Sequence, residues 1–160
     1  ELGTSLGVGT QALALGHSKN KITTVEGCQN TFQFSEKNLK VLHLSNTICI
    51  NSDFRSAISQ LHQESFDCIY FDGHHNKEAT LAYFNLLISK AHNNSVFIFD
   101  DIYWSDKMHE AWKQIIADKR VSASLDLFTF GLVFLSKNFE GHHRIFKPNI
   151  INSLSLALSK

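Results

Sequence analysis

The chain has 160 residues, 43% hydrophobic and 19% charged, with 15 basic and 15 acidic side chains and a formal net charge of zero. That length describes one globular domain able to bury a core, and the even charge argues against a large electrostatic footprint for nucleic acid. No run of about 18 apolar residues occurs, so nothing reads as a membrane span, and a single proline leaves no evident linker.

The chain opens without Met and inside a motif. The first strand, which should run into Glu1, is therefore expected to be mostly absent, as in an N-terminally truncated piece of a longer protein. Any targeting peptide would lie upstream. Glu1-Leu2-Gly3-Thr4-Ser5-Leu6-Gly7-Val8-Gly9 places three glycines in seven positions. Such a turn lets a ligand approach the backbone closely, because no Cβ intervenes. Residues 10–15 read as a helix ended by Gly16, so the turn delivers its ligand to a helix N-terminus. Ile22-Thr-Thr-Val-Glu26 is a short β-branched strand ending in an acid. An acid about 20 residues beyond a glycine turn sits beside the first strand of an open α/β sheet and can bond a ribose diol. The plainer reading is an ordinary Gly-rich strand-to-helix turn. A dinucleotide fingerprint would need G-x-G-x-x-G, and Ser5 stands where its second glycine belongs.

Residues 29–39 form a weakly patterned helix, and 47–50 a strand ended by Asn51-Ser52-Asp53. A helix over 54–63 follows, with Ser52 or Asp53 as its N-cap. Cys68-Ile69-Tyr70-Phe71 is an apolar run between Asp67 and Asp72, the pattern of a strand covered on both faces. Residues 77–90 form a helix with Ala79, Ala82, Tyr83 and Leu86 on one stripe. Residues 95–99 (SVFIF) make a second buried strand before Asp100-Asp101. An amphipathic helix over 105–118 aligns Met108, Ala111, Trp112, Ile115 and Ile116. Strands over 121–127 and 131–136 are joined too tightly for a parallel crossover, so they must be antiparallel. The sequence divides into a domain over 1–140 and a tail over 141–160, with a helix expected over 150–158. The tail leaves assembly into a homo-oligomer open.

Nine histidines make the charge pH-sensitive below about 6.5 without forming a metal-spaced cluster. Cys28, Cys49 and Cys68 are odd in number and lack a C-x-x-C. They read as small core residues in a reducing, cytoplasmic compartment. The strand ends gather Glu26, Asp53, Asp72 and Asp100-Asp101 at the rim where open α/β sheets bind ligands. Asp53 reads equally as a contact to an adenine amino group or as a helix cap. Asp72, Asp100 and Asp101 lie on neighbouring strands ~4.8 Å apart. Three acids so close would raise each other's pKa unless a cation such as Mg²⁺ or Ca²⁺ sat among them. Alternatively Asp72 and Asp101 cap local structure and His74-His75 are solvated loop residues. Trp104 and Tyr103 read either as acceptor-pocket walls or, for Trp104, as packing beneath the next helix.

The E-x-G-x-x-x-G turn resembles the first motif of class I S-adenosylmethionine (SAM)-dependent methyltransferases. The wider stretch FDGHHNKEATLAYF through FIFDDIYWSDKMHEAW to SLDLFTFGLVFL is similar to a bacterial branch of that family, over Glu1 to about Leu135. The resemblance implies a Rossmann-like doubly wound α/β sheet, mostly parallel, closing in an antiparallel hairpin. It implies SAM bound by Glu1, Gly3, Thr4, Ser5, Gly7, Glu26, Asp53 and Asp72, with transfer to a hydroxyl of a small molecule. Acid-Gly-x-His followed by an acid pair further resembles metal-dependent sugar and macrolide O-methyltransferases. By that likeness Asp72, Asp100 and Asp101 hold Mg²⁺ and His75 is the general base. The competing readings are an NAD(P)-dependent oxidoreductase, which Glu26 alone permits, and a non-catalytic SAM- or nucleoside-binding domain.

Overall fold

The computed structural model describes residues 1–62 and 65–144. Its helices are α1 (Val8–Leu15), α2 (Gln29–Val41), α3 (Phe54–Gln60), α4 (Lys77–Leu87, extended by a 3-10 turn over Ile88–Lys90) and α5 (Asp106–Ile116). Its strands are β1 (Ile22–Glu26), β2 (Thr47–Asn51), β3 (Phe66–Phe71), β4 (Ala91–Asp100), β5 (Ala123–Asp126), β6 (Phe130–Phe134) and β7 (Gly141–Arg144). Gln63, the expected end of the third helix, and the helix expected over 150–158 lie outside the described residues.

The strands form a parallel pair, β1–β2, and a five-stranded group in the order β3-β4-β6-β5-β7. The two are joined by Leu2, which makes parallel bridges to Val25 on one side and Phe71 on the other. β3 runs parallel to β4, while β6 is antiparallel to both β4 and β5. This is the expected α/β layout of the class I methyltransferase type, mostly parallel with a C-terminal antiparallel hairpin.

Alternation along each strand separates two faces. Val25, Ile69, Phe71, Phe97, Phe99 and Val133 point to one side and share a core with Ile58, Phe84, Leu87, Trp112 and Ile115 of α3, α4 and α5. Thr24 faces the other way, bonded to Thr4 and near Thr10 of α1. Helices thus lie on both sides, which makes the sheet doubly wound.

Three helices have side-chain caps that explain where they start: Asp53, Asn76 and Ser105 each accept an N–H from the first turn. α4 buries Thr80, Phe84 and Leu87 rather than the expected stripe, because its apolar residues wrap most of its circumference and tertiary packing selects among them. The four residues of β7 belong to the sheet, pairing in parallel with β5, although they were expected to begin the tail. Gly-His-His-Arg is too polar to read as a strand, and as an exposed edge it need not be apolar. The cysteines depart from expectation as well. Cys28 and Cys68 are exposed and Cys49 half-buried, since Cys28 lies in a loop and Cys68 on a strand edge that faces open space.

Gly131 stands opposite Phe99 in the β4–β6 ladder, and a Cβ there would lie 2.5 Å from the ring of buried Trp112. Gly131→Ala is expected to destabilise the chain by about 1–3 kcal/mol through overpacking, as measured by urea unfolding.

Candidate functional site

Parallel strands bring their carboxyl ends to one rim, and the glycine turn is bound into it. Leu2 N–H donates to Tyr70 O (2.8 Å) and Leu2 O accepts from Asp72 N–H (2.9 Å). On the other flank Val25 N–H donates to Glu1 O (3.1 Å), and Val25 O accepts from both Gly3 and Thr4 N–H. Gly3 has φ +110°, and a Cβ there would lie 2.1 Å from Asp72 O. Only glycine allows this turn to lie against the end of β3. Gly7, with φ +84°, opens α1.

Two side chains expected to meet the ligand are engaged elsewhere. Thr4 is buried with its hydroxyl 2.6 Å from Thr24 Oγ1. The Glu1 carboxylate turns beneath the turn, where Oε2 accepts from Thr10 and from Thr24 (2.6 Å). These residues shape the turn from beneath. Ser5 is exposed and its N–H donates to Glu26 Oε2 at 3.0 Å. Cys28 N–H donates to Glu26 Oε1 at 2.8 Å. Glu26 is thereby fixed beside the glycine turn, and each carboxylate oxygen keeps a further acceptor position for a ligand hydroxyl. Asp53 is exposed and caps α3, accepting Ser56 N–H at 2.9 Å. Of its two expected roles, the cap is the one its contacts show.

The second half of the rim holds Asp72, His75, Asp100 and Asp101. Phe71 pairs with Phe99, so Asp72 and Asp100 follow matched positions on adjacent strands. Burial, followed by the charge of Asp100, pushes the Asp72 carboxyl up to about 6. Tyr70 donates its hydroxyl to Asp100 Oδ2 (3.0 Å), and its own pKa is raised by burial and then by Asp72 and Asp100. Tyr70 was missed in the sequence, where it read as part of an apolar run. The usable signal is its spacing of two from Asp72, which puts both on one face of β3.

Asp101 turns away from this pair. It has φ +53°, donates its N–H to Asp100 Oδ1 (2.9 Å) and sets Oδ2 3.6 Å from His75 Nε2. The His75 ring lies 5.9 Å from that of Trp104, which is 68% exposed. Trp104 therefore lies over the rim and not beneath α5, because a turn closed by its N–H to Asp101 O lifts it outward. Among the described residues no group of three His, Cys, Asp or Glu is arranged to hold a metal ion. The expected Mg²⁺ trio splits into an Asp72–Asp100 pair and an Asp101–His75 pair.

Backbone strain clusters here too. Of the five non-glycine residues with positive φ among the described residues, Ser5, His74 and Asp101 all sit on this rim. Such conformations cost roughly 1–3 kcal/mol each for most residues and collect at ligand sites.

The sequence model of a family described as a methyltransferase domain matches residues 1–102, a span that begins with the glycine turn and ends just past Asp101. No curated protein matches the chain. Several solved structures resemble it. An O-methyltransferase from Bacillus cereus, solved with S-adenosylhomocysteine (SAH), shares 21% identity at a TM-score of 0.68, covering 83% of this chain and 71% of its own. The SAH-bound methyltransferase PaMTH1 of Podospora anserina shares 15% identity at a TM-score of 0.74, with 85% and 70% covered. The O-methyltransferase TomG of Streptomyces achromogenes, solved with SAM and involved in tomaymycin synthesis, shares 15% at a TM-score of 0.71, with 84% and 71% covered. At these identities the likeness is one of fold.

The raised pKa of Asp72 sets a pH dependence. Between its unfolded value near 3.8 and its folded value of about 6, the native state holds the proton that the unfolded chain has released. Stability therefore falls as pH rises through that window. Asp72→Asn is expected to be more stable than the parent by about 1 kcal/mol at pH 7.5, after discounting for solvent screening. The gain should vanish below pH 4 (roughly the unfolded pKa of Asp), as followed by thermal melts from pH 4 to 8. A gain independent of pH would remove the carboxyl pair as its cause.

Proposed function

This chain belongs to the methyltransferase-domain family, and on that premise we propose that it transfers a methyl group from SAM to a hydroxyl of a small molecule. The observation that carries the reading is the Glu26 carboxylate, held beside the Gly3–Gly7 turn by Ser5 and Cys28 N–H groups. A carboxylate so fixed is suited to a ribose diol, and the adjacent backbone turn to the uncharged length of a ligand that carries no phosphates. Similar structures solved with SAM or SAH include two O-methyltransferases, which supports SAM as donor and oxygen as the accepting atom. In this reading Gly3, Thr4, Ser5 and Gly7, whose N–H groups are bonded within the fold, shape the turn on which the methionine part rests, and Asp72 stands at its reacting end.

His75 is the proposed base. Its Nε2 stands 3.6 Å from Asp101 Oδ2, and it takes the proton that the acceptor hydroxyl gives up. The acceptor oxygen then attacks the methyl carbon in line with the sulfonium. The carbon–sulfur bond breaks, its electron pair stays on sulfur, and neutral SAH leaves. A sulfonium is already a good leaving group, so positioning supplies much of the rate. Mg²⁺ has no step in this mechanism, because Asp101 is turned toward His75 and the acids do not gather as a ligand set. The partner is a small-molecule acceptor; the neutral charge gives no support to nucleic acid. Three free cysteines support a reducing, cytoplasmic setting.

Glu26→Ala is expected to weaken SAM binding by roughly tenfold or more, the scale of a lost charge-assisted hydrogen bond, as read by titration calorimetry. Unchanged affinity would remove the ribose assignment. His75→Ala should keep SAM affinity within about twofold while methyl transfer from labelled SAM to phenolic and sugar hydroxyls drops by about 10²–10⁴, the range for a lost general base. Full turnover in that variant would leave His75 without the role.

A further inference from the structure

At the β7 edge of the sheet lies a cavity that the proposed methyl transfer does not use. It has a volume of about 210 Å³ and opens between α5 and the β5–β7 pair. β4 and β6 separate it from β3, the strand that ends at Asp72. Its size is below the roughly 300–1,000 Å³ of clefts that hold drug-sized molecules, so its ligand is small.

Two facing walls build the cavity. α5 supplies His109, Trp112, Lys113 and Ile116, spaced i, i+3, i+4, i+7 and hence on one face of the helix. β5 supplies Ser124 and Asp126, and β7 places His142 and Arg144 opposite them in parallel register. Trp112 and Ile116 are apolar, while Lys113 and Arg144 are permanent cations.

Asp126, the one acid in these walls, is already engaged. It is buried, and its Oδ2 accepts from the Tyr103 hydroxyl (2.7 Å) and from Arg144 Nε (3.0 Å). Its Oδ1 accepts from Phe128 N–H at 3.1 Å. Arg144 is held by that bond and by the Tyr103 ring, whose centroid is 6.0 Å from Cζ. The guanidinium is therefore oriented before any ligand arrives. Its two terminal nitrogens and Lys113 Nζ have no hydrogen-bond partner among the described residues.

The histidines add donors. Ser124 is buried, and the one partner of its hydroxyl among the described residues is His142 Nδ1, at 2.9 Å. A buried hydroxyl stays paired by donating to that nitrogen, which leaves the imidazole proton on His142 Nε2. His109 Nδ1 is buried and has no partner among the described residues. Burial, and then the charges of Lys113 and Arg144, hold the His109 pKa below its ordinary value. Both cations thus act on one point of the cavity. Ammonium and guanidinium groups bind carboxylate and phosphate oxygens alike.

We propose that this cavity binds the carboxylate or phosphate of a small organic molecule, with Lys113 and Arg144 against the oxyanion and Trp112 and Ile116 against the apolar body. The site stands whether or not methyl transfer is the activity at the rim.

Benzoate and phenyl phosphate, titrated separately into the isotope-labelled full chain at low salt, supply the test by NMR, with benzamide as the neutral control. At least one anion should shift the Ser124 and His142 amides and the Trp112 indole N–H saturably, and benzamide should not. The arm that responds tells carboxylate from phosphate. Lys113 is exposed, so Lys113→Ala keeps the fold and should weaken that anion about fivefold or more, the scale of a partly screened charge-assisted bond. Lys113→Arg should restore the affinity to within about twofold of the parent. Silence in both anion arms, an equal response to benzamide, or unchanged affinity in Lys113→Ala would each overturn the proposal. Binding that appears only once residues 145–160 are removed would give the cavity to that segment and overturn it as well.

Discussion

Everything at the rim depends on a few backbone hydrogen bonds made by residues 1–4. Leu2 holds β3 and the turn holds β1, so two sheet fragments that share no other strand pairing among the described residues become one surface. Without that seam Glu26 and Asp72 would belong to separate pieces. The bonds are ordinary in length, and each contributes only about 0.5–1.5 kcal/mol net. Their importance is geometric: they set which strand ends are neighbours.

The acids on this surface differ because of what surrounds them. Glu26 is satisfied by two amides at the edge of solvent, an arrangement suited to receiving hydroxyls. Asp72 and Asp100 crowd one another beneath the Tyr70 phenol, and burial with the neighbouring charge raises the Asp72 pKa. Asp101 is rotated out by a left-handed backbone and turned to an imidazole. Carboxylates alike in sequence thus fall into one held by two amides, a crowded pair and a partner for an imidazole.

Much of the scaffold was legible in the sequence, because alternation and capping are local. Asp53 announces the helix it caps, and the short link over 128–130 leaves only an antiparallel solution. The extent of β4 was hidden by His92, Asn93 and Asn94, polar residues that occupy the lower end of the strand, near Asp67. The glycine turn and Glu26 could be placed together because strand, turn and acid follow in chain order. The metal trio could not be judged, because the direction of Asp101 depends on a single φ angle. The exposure of Cys68 and Trp104 was equally hidden, since each is decided by what lies across from it and not by its neighbours in the chain.

The contact between Gly3 and Asp72 O has a mechanical corollary. With no side chain between them and no room for one, neither loop can shift without displacing the other, so they behave as a single rigid jaw. A side chain at position 3 would therefore displace Asp72 and Gly73, and with them the loop that carries His75.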